Sequence, residues 1–400
     1  MKSEDASIPA HLVGRPSLLR SFNDRMMLGL LFDRGRLSKA ELGAASRLSK
    51  PTVGQSLARL AELGLVRVSG SRTGRPGPAA AVFEIDPSVG SVVVVDVGDD
   101  DVRGIAVTTG GISTPEVRVH PGGRDVVAVL KEIYGPLTRD LPLADGAEHV
   151  MVVAVSGAYD PRADLVHESG HLSSRIKGLD RPGLLRRLRH EFGSGVAVEN
   201  DVNLVALAEH AEGVAVGAAT TALFWADYGV GAAGVIDGRI HRGATGGAGE
   251  LAYLPVAGAT ATSSDDPKGG FQVWAGGEAV TALGTMSGLT GTPVQMLETA
   301  AANEDAHDDF LTAVAERYAK GISAMVVVLD PDIVVLSGRF AFAGGDVLSS
   351  RVADCVAEQS MRPVPVLLGA LSESPVLAGA MSLARRLQRS ALLDRVDAPV

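Results

Sequence analysis

Several short stretches of this 400-residue chain carry side chains that could do chemistry. VENDVN (198–203) sets Asn200 beside Asp201 at the end of an apolar run. A carboxylate there can take a proton from a hydroxyl, and the amide can donate to and accept from the same polyol. The same pair would serve equally as a turn and helix cap after a strand. GATGGAGELAY (243–253) contributes Glu250 and Tyr253, and Gln272 follows in FQVWAGG; all three can bind hydroxyls. DVGDDDVRG (96–104) crowds Asp99, Asp100 and Asp101 into the turn after Gly98, where they would repel a polyphosphate. HESGH (167–171) satisfies a zinc-protease formula, but it follows strand-like ADLV and contains Ser169 and Gly170, so no helix sets His167 and His171 on one face. GVGAAG (229–234) satisfies a dinucleotide fingerprint, yet VIDGRI follows it as a hairpin with an Asp-Gly turn, and no helix opens to receive a pyrophosphate. The lone Cys355 excludes an internal disulfide or a thiolate cluster in this chain.

The elements that must position these groups read as two unlike parts. Residues 1–80 hold 13 Lys and Arg against 6 Asp and Glu, leaving 24 against 41 in the remainder, so a basic head precedes an acidic body. That asymmetry suits a head that meets a polyanion such as DNA. Abundant glycine, few aromatics and many Ala and Val residues suit an α/β body with tight strand turns. No apolar run is long enough for a membrane span and MKSEDASIPAHLVG lacks a signal core, so the expected location is the cytoplasm.

In the head, Leu18, Leu19, Phe22, Met26, Met27, Leu30 and Leu31 predict one helix with a broad apolar stripe ending at Gly35. Ser38 and Glu41 form a capping-box pair for a second, with Leu42 and Ala45 on its inner face. Ser49 caps a third, with Pro51 in its first turn and Gly64 at its end. Val53, Leu57, Leu60 and Leu63 face inward there, and Thr52, Gln55, Ser56 and Arg59 outward, as on a helix that reads a major groove. LVRVSGSRTGRPGPAAAVFEI then alternates as a hairpin whose turn carries Arg72 and Arg75 beside the DNA backbone.

LSKAELGAASRLSKPTVGQSLARLAELGLV followed by TGRPG resembles the winged helix-turn-helix of the ROK family, whose regulators carry such a head. VENDVN, GATGGAGELAYLPV and the strand–helix alternation over about residues 88–390 resemble the two-lobed, actin-like (RNase H-like) ATPase and sugar-kinase fold of the same family. The resemblance implies an N-terminal tail (1–14), a winged helix-turn-helix domain (15–86), a first lobe (88–205, joined by a C-terminal helix at about 375–400) and a second lobe (206–374) for effector and oligomerisation. It implies DNA contacts from Ser49, Lys50, Thr52, Gln55, Ser56, Arg59, Arg72 and Arg75, and an effector site of His171, Asn200, Asp201, Glu250, Tyr253 and Gln272. In the family's kinases the residue matching Asp201 is the general base. The family's zinc cysteines are missing from ATATSSDDPKGGFQVWAGG, Ala252 and Tyr253 replace a Gly-His pair, and Gln272 stands where a Glu closes the motif. The acidic turn replaces the usual small residues and Thr hydroxyl. These departures predict no metal, no cofactor and no kinase activity. The expected function is a homodimeric repressor, with a tetramer left open as the larger assembly, that binds double-stranded DNA at a pseudo-palindromic operator and senses a sugar or sugar derivative. The alternatives are an active sugar kinase with a DNA-binding head, and a regulator that needs no ligand.

Overall fold

The computed structural model describes residues 16–72, 80–98, 100–167, 175–256, 270–360 and 363–397. The basic head contains α1 (Pro16–Arg34), β1 (Leu37–Ser38), α2 (Lys39–Ser46), α3 (Lys50–Glu62), β2 (Val66–Arg72) and β3 (Ala80–Ile85). Its three strands pair antiparallel in the order β1-β3-β2. Both predicted caps form: Ser38 and Glu41 close a complete capping box on α2, and the Ser49 hydroxyl accepts from the Thr52 amide at the start of α3. Each satisfies a backbone N–H that a helix start leaves unpaired. The stripe on α1 is shorter than its sequence suggests. Met27, Leu28 and Leu31 are buried, but Leu18, Leu19 and Phe22 are exposed, because only the later turns of α1 contribute to the head's core.

The body is built on two five-stranded sheets. The first comprises β4 (Gly90–Val97), β5 (Val102–Thr108), β6 (Val117–Val119), β7 (Glu148–Val155) and β10 (Val196–Asn200), in the order β10-β7-β4-β5-β6. Its central strand β4 is buried along its whole length, and successive valines serve opposite faces. Val93, Val95 and Val97 pack beneath α4 (Val126–Thr138) and α5 (Leu184–Phe192). Val92 and Val94 meet α6 (Asp201–Glu212) and the C-terminal helix α12 (Pro375–Asp394). A strand covered on both faces reads as continuous valine because neither face meets water.

The second sheet has the order β13-β12-β11-β14-β15, built from β11 (Thr220–Ala226), β12 (Val230–Ile236), β13 (Arg239–Ile240), β14 (Ile333–Ser337) and β15 (Val366–Leu368). As the sequence implied, GVGAAG runs into a hairpin, with Asp237 and Gly238 both at positive φ in the β12–β13 turn. Phe224 on this sheet packs with Phe271, Tyr318 and Phe340 beneath α7 (Gly270–Ala275), α10 (Asp308–Leu329) and α11 (Arg339–Gln359); α8 (Gly277–Met286) and α9 (Pro293–Ala302) complete that layer. On its other face lie Val202, Val205 and Ala206 of α6. Helix α6 therefore touches both sheets.

α12 links body and head. A Cβ at Gly379 would lie 1.8 Å from the Leu204 carbonyl oxygen, so only glycine permits its close packing on α6. Thirteen residues later the helix reaches the head: Leu392 is fully buried in the head's core. Arg389 pairs with Asp33, Arg25 bonds Asp394 and Asp397, and Arg395 donates to the Leu63 carbonyl. The head's core is thus not contained in residues 15–86.

Candidate functional site

The face that α3 offers to solvent is narrower than its helical pattern predicts. Lys50 and Gln55 are exposed and Thr52 half-buried, with its hydroxyl 2.8 Å from that of Ser49. Two of the eight residues expected at DNA are corrected. Ser56 is completely buried, and Arg59 is turned inward. The Arg59 guanidinium forks onto Asp24 of α1 (2.8 and 2.6 Å) and also donates to Ser56 at 3.2 Å. That hydrogen bond raises the Arg59 pKa against its own burial. The contact fixes α1 to α3, so the pattern placed a structural ion pair among the readers. Arg72 is the last residue of β2, and Arg75 lies outside the described residues. Two further cations of the head, Arg36 and Arg67, both pair with the nearly buried Glu84 of β3.

The second candidate lies where the two sheets meet, at the start of α6. Asn200 is the N-cap of that helix: its Oδ1 accepts from the Asn203 amide at 3.0 Å, and its Nδ2 donates to the Gly157 carbonyl at 3.2 Å. The cap alternative therefore accounts for its side chain. Asp201 opens α6 and accepts from the Val202 amide. Glu199, to which the sequence assigned no role, is the buried centre of the motif. Its carboxylate takes hydrogen bonds from the Asn200 amide, from Asn203 Nδ2 and from Arg242 (Nε 2.6 Å, Nη2 2.5 Å).

Glu250 sits in the loop that follows Arg242. A Cβ at Gly246 would strike the Tyr159 carbonyl and one at Gly249 the Ala232 carbonyl, so these glycines let the loop bridge β8 (Ala158–Asp160) and β12. Burial raises the Glu250 pKa, an effect that His167 nearby reduces. His167, of β9 (Leu165–His167), lies 3.5 Å from Asp160. Tyr253 is exposed in the 3-10 turn Leu251–Tyr253. Gln272 is a further correction, because both ends of its amide are engaged: Oε1 accepts from the Val230 amide at 3.0 Å and Nε2 donates to the Tyr228 carbonyl at 2.8 Å. It pins the 228–230 turn. His171 lies outside the described residues.

The turns after β4 and β11 are flanked by ion pairs. Asp96 accepts from Arg103 (3.1 and 2.9 Å), which also reaches Ser374 at the start of α12. Asp227 accepts from Arg339 (2.9 and 2.8 Å), whose guanidinium lies 5.0 Å from the Tyr228 ring centre. The acidic turn is not an array of unpaired charges: Asp100 pairs with Arg175 and Asp101 with Arg118, while Asp99 lies outside the described residues. Among the described residues, no cluster of three His, Cys, Asp or Glu is placed to hold a metal. Nor is any helix long and apolar enough to cross a membrane.

Comparison with known proteins bears on both parts. A putative xylose repressor of Caldicellulosiruptor sp. (strain Rt8B.4) is 22% identical over 352 residues, 83% of this chain and 86% of the repressor. A solved ROK family transcriptional regulator, a homologue of the E. coli MLC protein, superposes with a TM-score of 0.74 at 18% identity, covering 94% of this chain and 99% of that one. The ROK hexokinase from Thermus thermophilus superposes with a TM-score of 0.61 at 23% identity, covering 74% of this chain and 98% of the hexokinase. These likenesses show the fold, a kinase-like body of the actin type. The model of the ROK family matches residues 92–387, nearly the whole body, and the chain therefore belongs to the ROK family.

Proposed function

We propose that the chain is a DNA-binding transcriptional repressor whose body senses a sugar or sugar derivative without transferring phosphate. The observation that carries this reading is the exposed polar edge of α3, with Ser49, Lys50, Thr52 and Gln55 at its N-terminal end, in a head of net positive charge. The early residues of such a helix are the ones that meet base edges when it enters a major groove, and Arg72 and Arg75, which follow α3 in the sequence, would contact phosphates. The repressor and regulator relatives support the same reading. One such helix reads few base pairs, so a homodimer on a pseudo-palindrome is the working unit. A ligand that binds one lobe arrangement better than another would shift the head's position through α12.

The ion-paired turns argue against phosphoryl transfer. That chemistry is positioning plus electrostatic stabilisation of a metal-bound phosphate, and the carboxylates of Asp96 and Asp227 are instead engaged by Arg103 and Arg339.

Mobility-shift assays with DNA upstream of its own gene test the reading. Binding is expected to weaken steeply with salt. Gln55→Ala and Thr52→Ala should relax sequence preference by about 1–3 kcal/mol at one position, whereas Arg72→Ala should weaken binding to all sequences alike. Absence of sequence-selective binding, together with ATP consumption on hexoses that Asp201→Asn abolishes, would favour the kinase alternative.

A further inference from the structure

The helices of the head end in two ways. α1 is followed by Gly35 (φ 70°) and α3 by Gly64 (φ 68°), each turning the chain through the left-handed region that glycine enters without penalty. α2 ends in the same conformation on Arg47 (φ 59°, ψ 22°). A long L-side chain is disfavoured there, because its Cβ crowds the following carbonyl oxygen. The other non-glycine residues at positive φ among the described residues are Asp164, Asp237, Asp330 and Ser374, whose short polar side chains suit that conformation better. Folding alone would favour glycine at position 47. The α2–α3 turn carries a guanidinium instead.

That guanidinium has nothing to hold within the chain. Arg47 is exposed, with no ion pair or side-chain hydrogen bond among the described residues. Other cations of the head are engaged: Arg25, Arg36, Arg59 and Arg67 pair with carboxylates, and Lys39 lies over the Phe83 ring. Arg34 stands in the last turn of α1, where a cation suits the carbonyl end of a helix. Nor does the Arg47 side chain hold the turn together. Ser46 does that, its Oγ donating to the Leu42 carbonyl at 2.7 Å and accepting from the Leu48 amide at 3.3 Å. Lys50, the first residue of α3, is exposed and likewise unpaired among the described residues. Three residues on from Arg47, its Cα lies at most about 11 Å away.

We propose that Arg47 contacts DNA, gripping a backbone phosphate at the edge of the groove that the first turn of α3 enters, beside Lys50. This rests on the reading of the head as a DNA-binding module, and it adds a contact from the α2–α3 turn that seats α3. When the early residues of α3 meet base edges, the turn just ahead of them lies against the wall of the groove, where the phosphates are. The planar fork of N–H groups matches phosphate oxygens, which glycine at this position could not do. The contact carries no sequence information of its own.

Mobility-shift titrations of the full chain over a salt series, on DNA upstream of its own gene and on an unrelated duplex, test it. Arg47→Gln and Arg47→Gly should each weaken binding to every duplex by about five- to tenfold at 0.1 M salt, and lower the salt slope by about 0.9 for each subunit bound. Arg47→Gly relieves the backbone and is expected to melt no lower than the wild type. Arg47→Lys should keep most of the slope. Arg34→Gln removes the same charge at the end of α1 and should leave the slope in place. An unchanged slope in the Gln and Gly variants overturns the proposal. So does an equal loss in Arg34→Gln, which would trace the effect to the overall charge of the head, or a loss confined to Arg47→Gly, which would trace it to the backbone. In those cases the DNA-binding reading stands; a wild type that binds no duplex at any salt sinks both.

Discussion

Arg59 shows how a single burial assignment changes a residue's role. By helical spacing it belongs with Gln55 on the outer face of α3, yet its fork closes on Asp24, which is almost fully buried. Removing one partner of such a pair leaves a buried charge uncompensated, which is far costlier than losing a surface contact. Arg59→Ala should therefore lower the head's stability by about 3 kcal/mol, and DNA binding should fail through unfolding. Arg59→Lys retains the charge without the fork and should fall between Ala and wild type. Thermal melting followed alongside DNA binding checks this; unchanged melting with weakened binding would return Arg59 to the DNA surface. Glu199 carries the complementary lesson. Its position in VENDVN was visible, but the role of a carboxylate that organises Asn200, Asn203 and Arg242 depends on a loop more than forty residues away.

At the scale of elements, helix starts were the most legible features, because a cap needs only residues three apart. The α2 capping box and the Ser49 cap stand as the sequence predicts, and so does the hairpin after GVGAAG. Less legible was the reach of α12. Its apolar residues serve the first sheet at Leu377 and Ala384 and then the head at Leu392, on the same helix with no break in pattern. Leu392→Ala should cost about 2–5 kcal/mol by leaving a cavity. The expected consequence is a head that unfolds more easily and binds DNA more weakly, although the substitution lies over 300 residues from α3. Urea unfolding with a probe in the head measures it; an unaffected head would mean that α12 merely rests on it.

For the whole molecule, two partly buried histidines bear on the response to pH. His149, beside Ser91 at the beginning of the first sheet, and His210, between Thr221 and Arg386 at the end of α6, both have pKa values lowered from 6.5, chiefly by burial. The unfolded chain then binds these protons more readily than the folded one. Their contribution to stability is complete above about pH 6.5 and is lost as pH falls through the lowered folded-state values. Melting temperature should decline between about pH 7 and about pH 5, and a His149→Gln/His210→Gln variant should show a shallower decline. An equal slope in both proteins would place the acid sensitivity elsewhere.

What the sequence determined by itself follows from short-range rules. Periodicity marked the helices of the head, caps and Asp-Gly turns marked their limits, and charge bookkeeping separated a basic head from an acidic body. The quoted motifs led to the right family. Tertiary structure alone decided which polar groups face out. Asp227 and Arg339 are 112 residues apart, Arg103 and Ser374 are 271, and Arg25 and Asp397 are 372. Local pattern carries no information on such separations. Whether an acid is buried under its arginine, as Glu199 is under Arg242 and Asp227 under Arg339, depends on which distant segments the fold packs together.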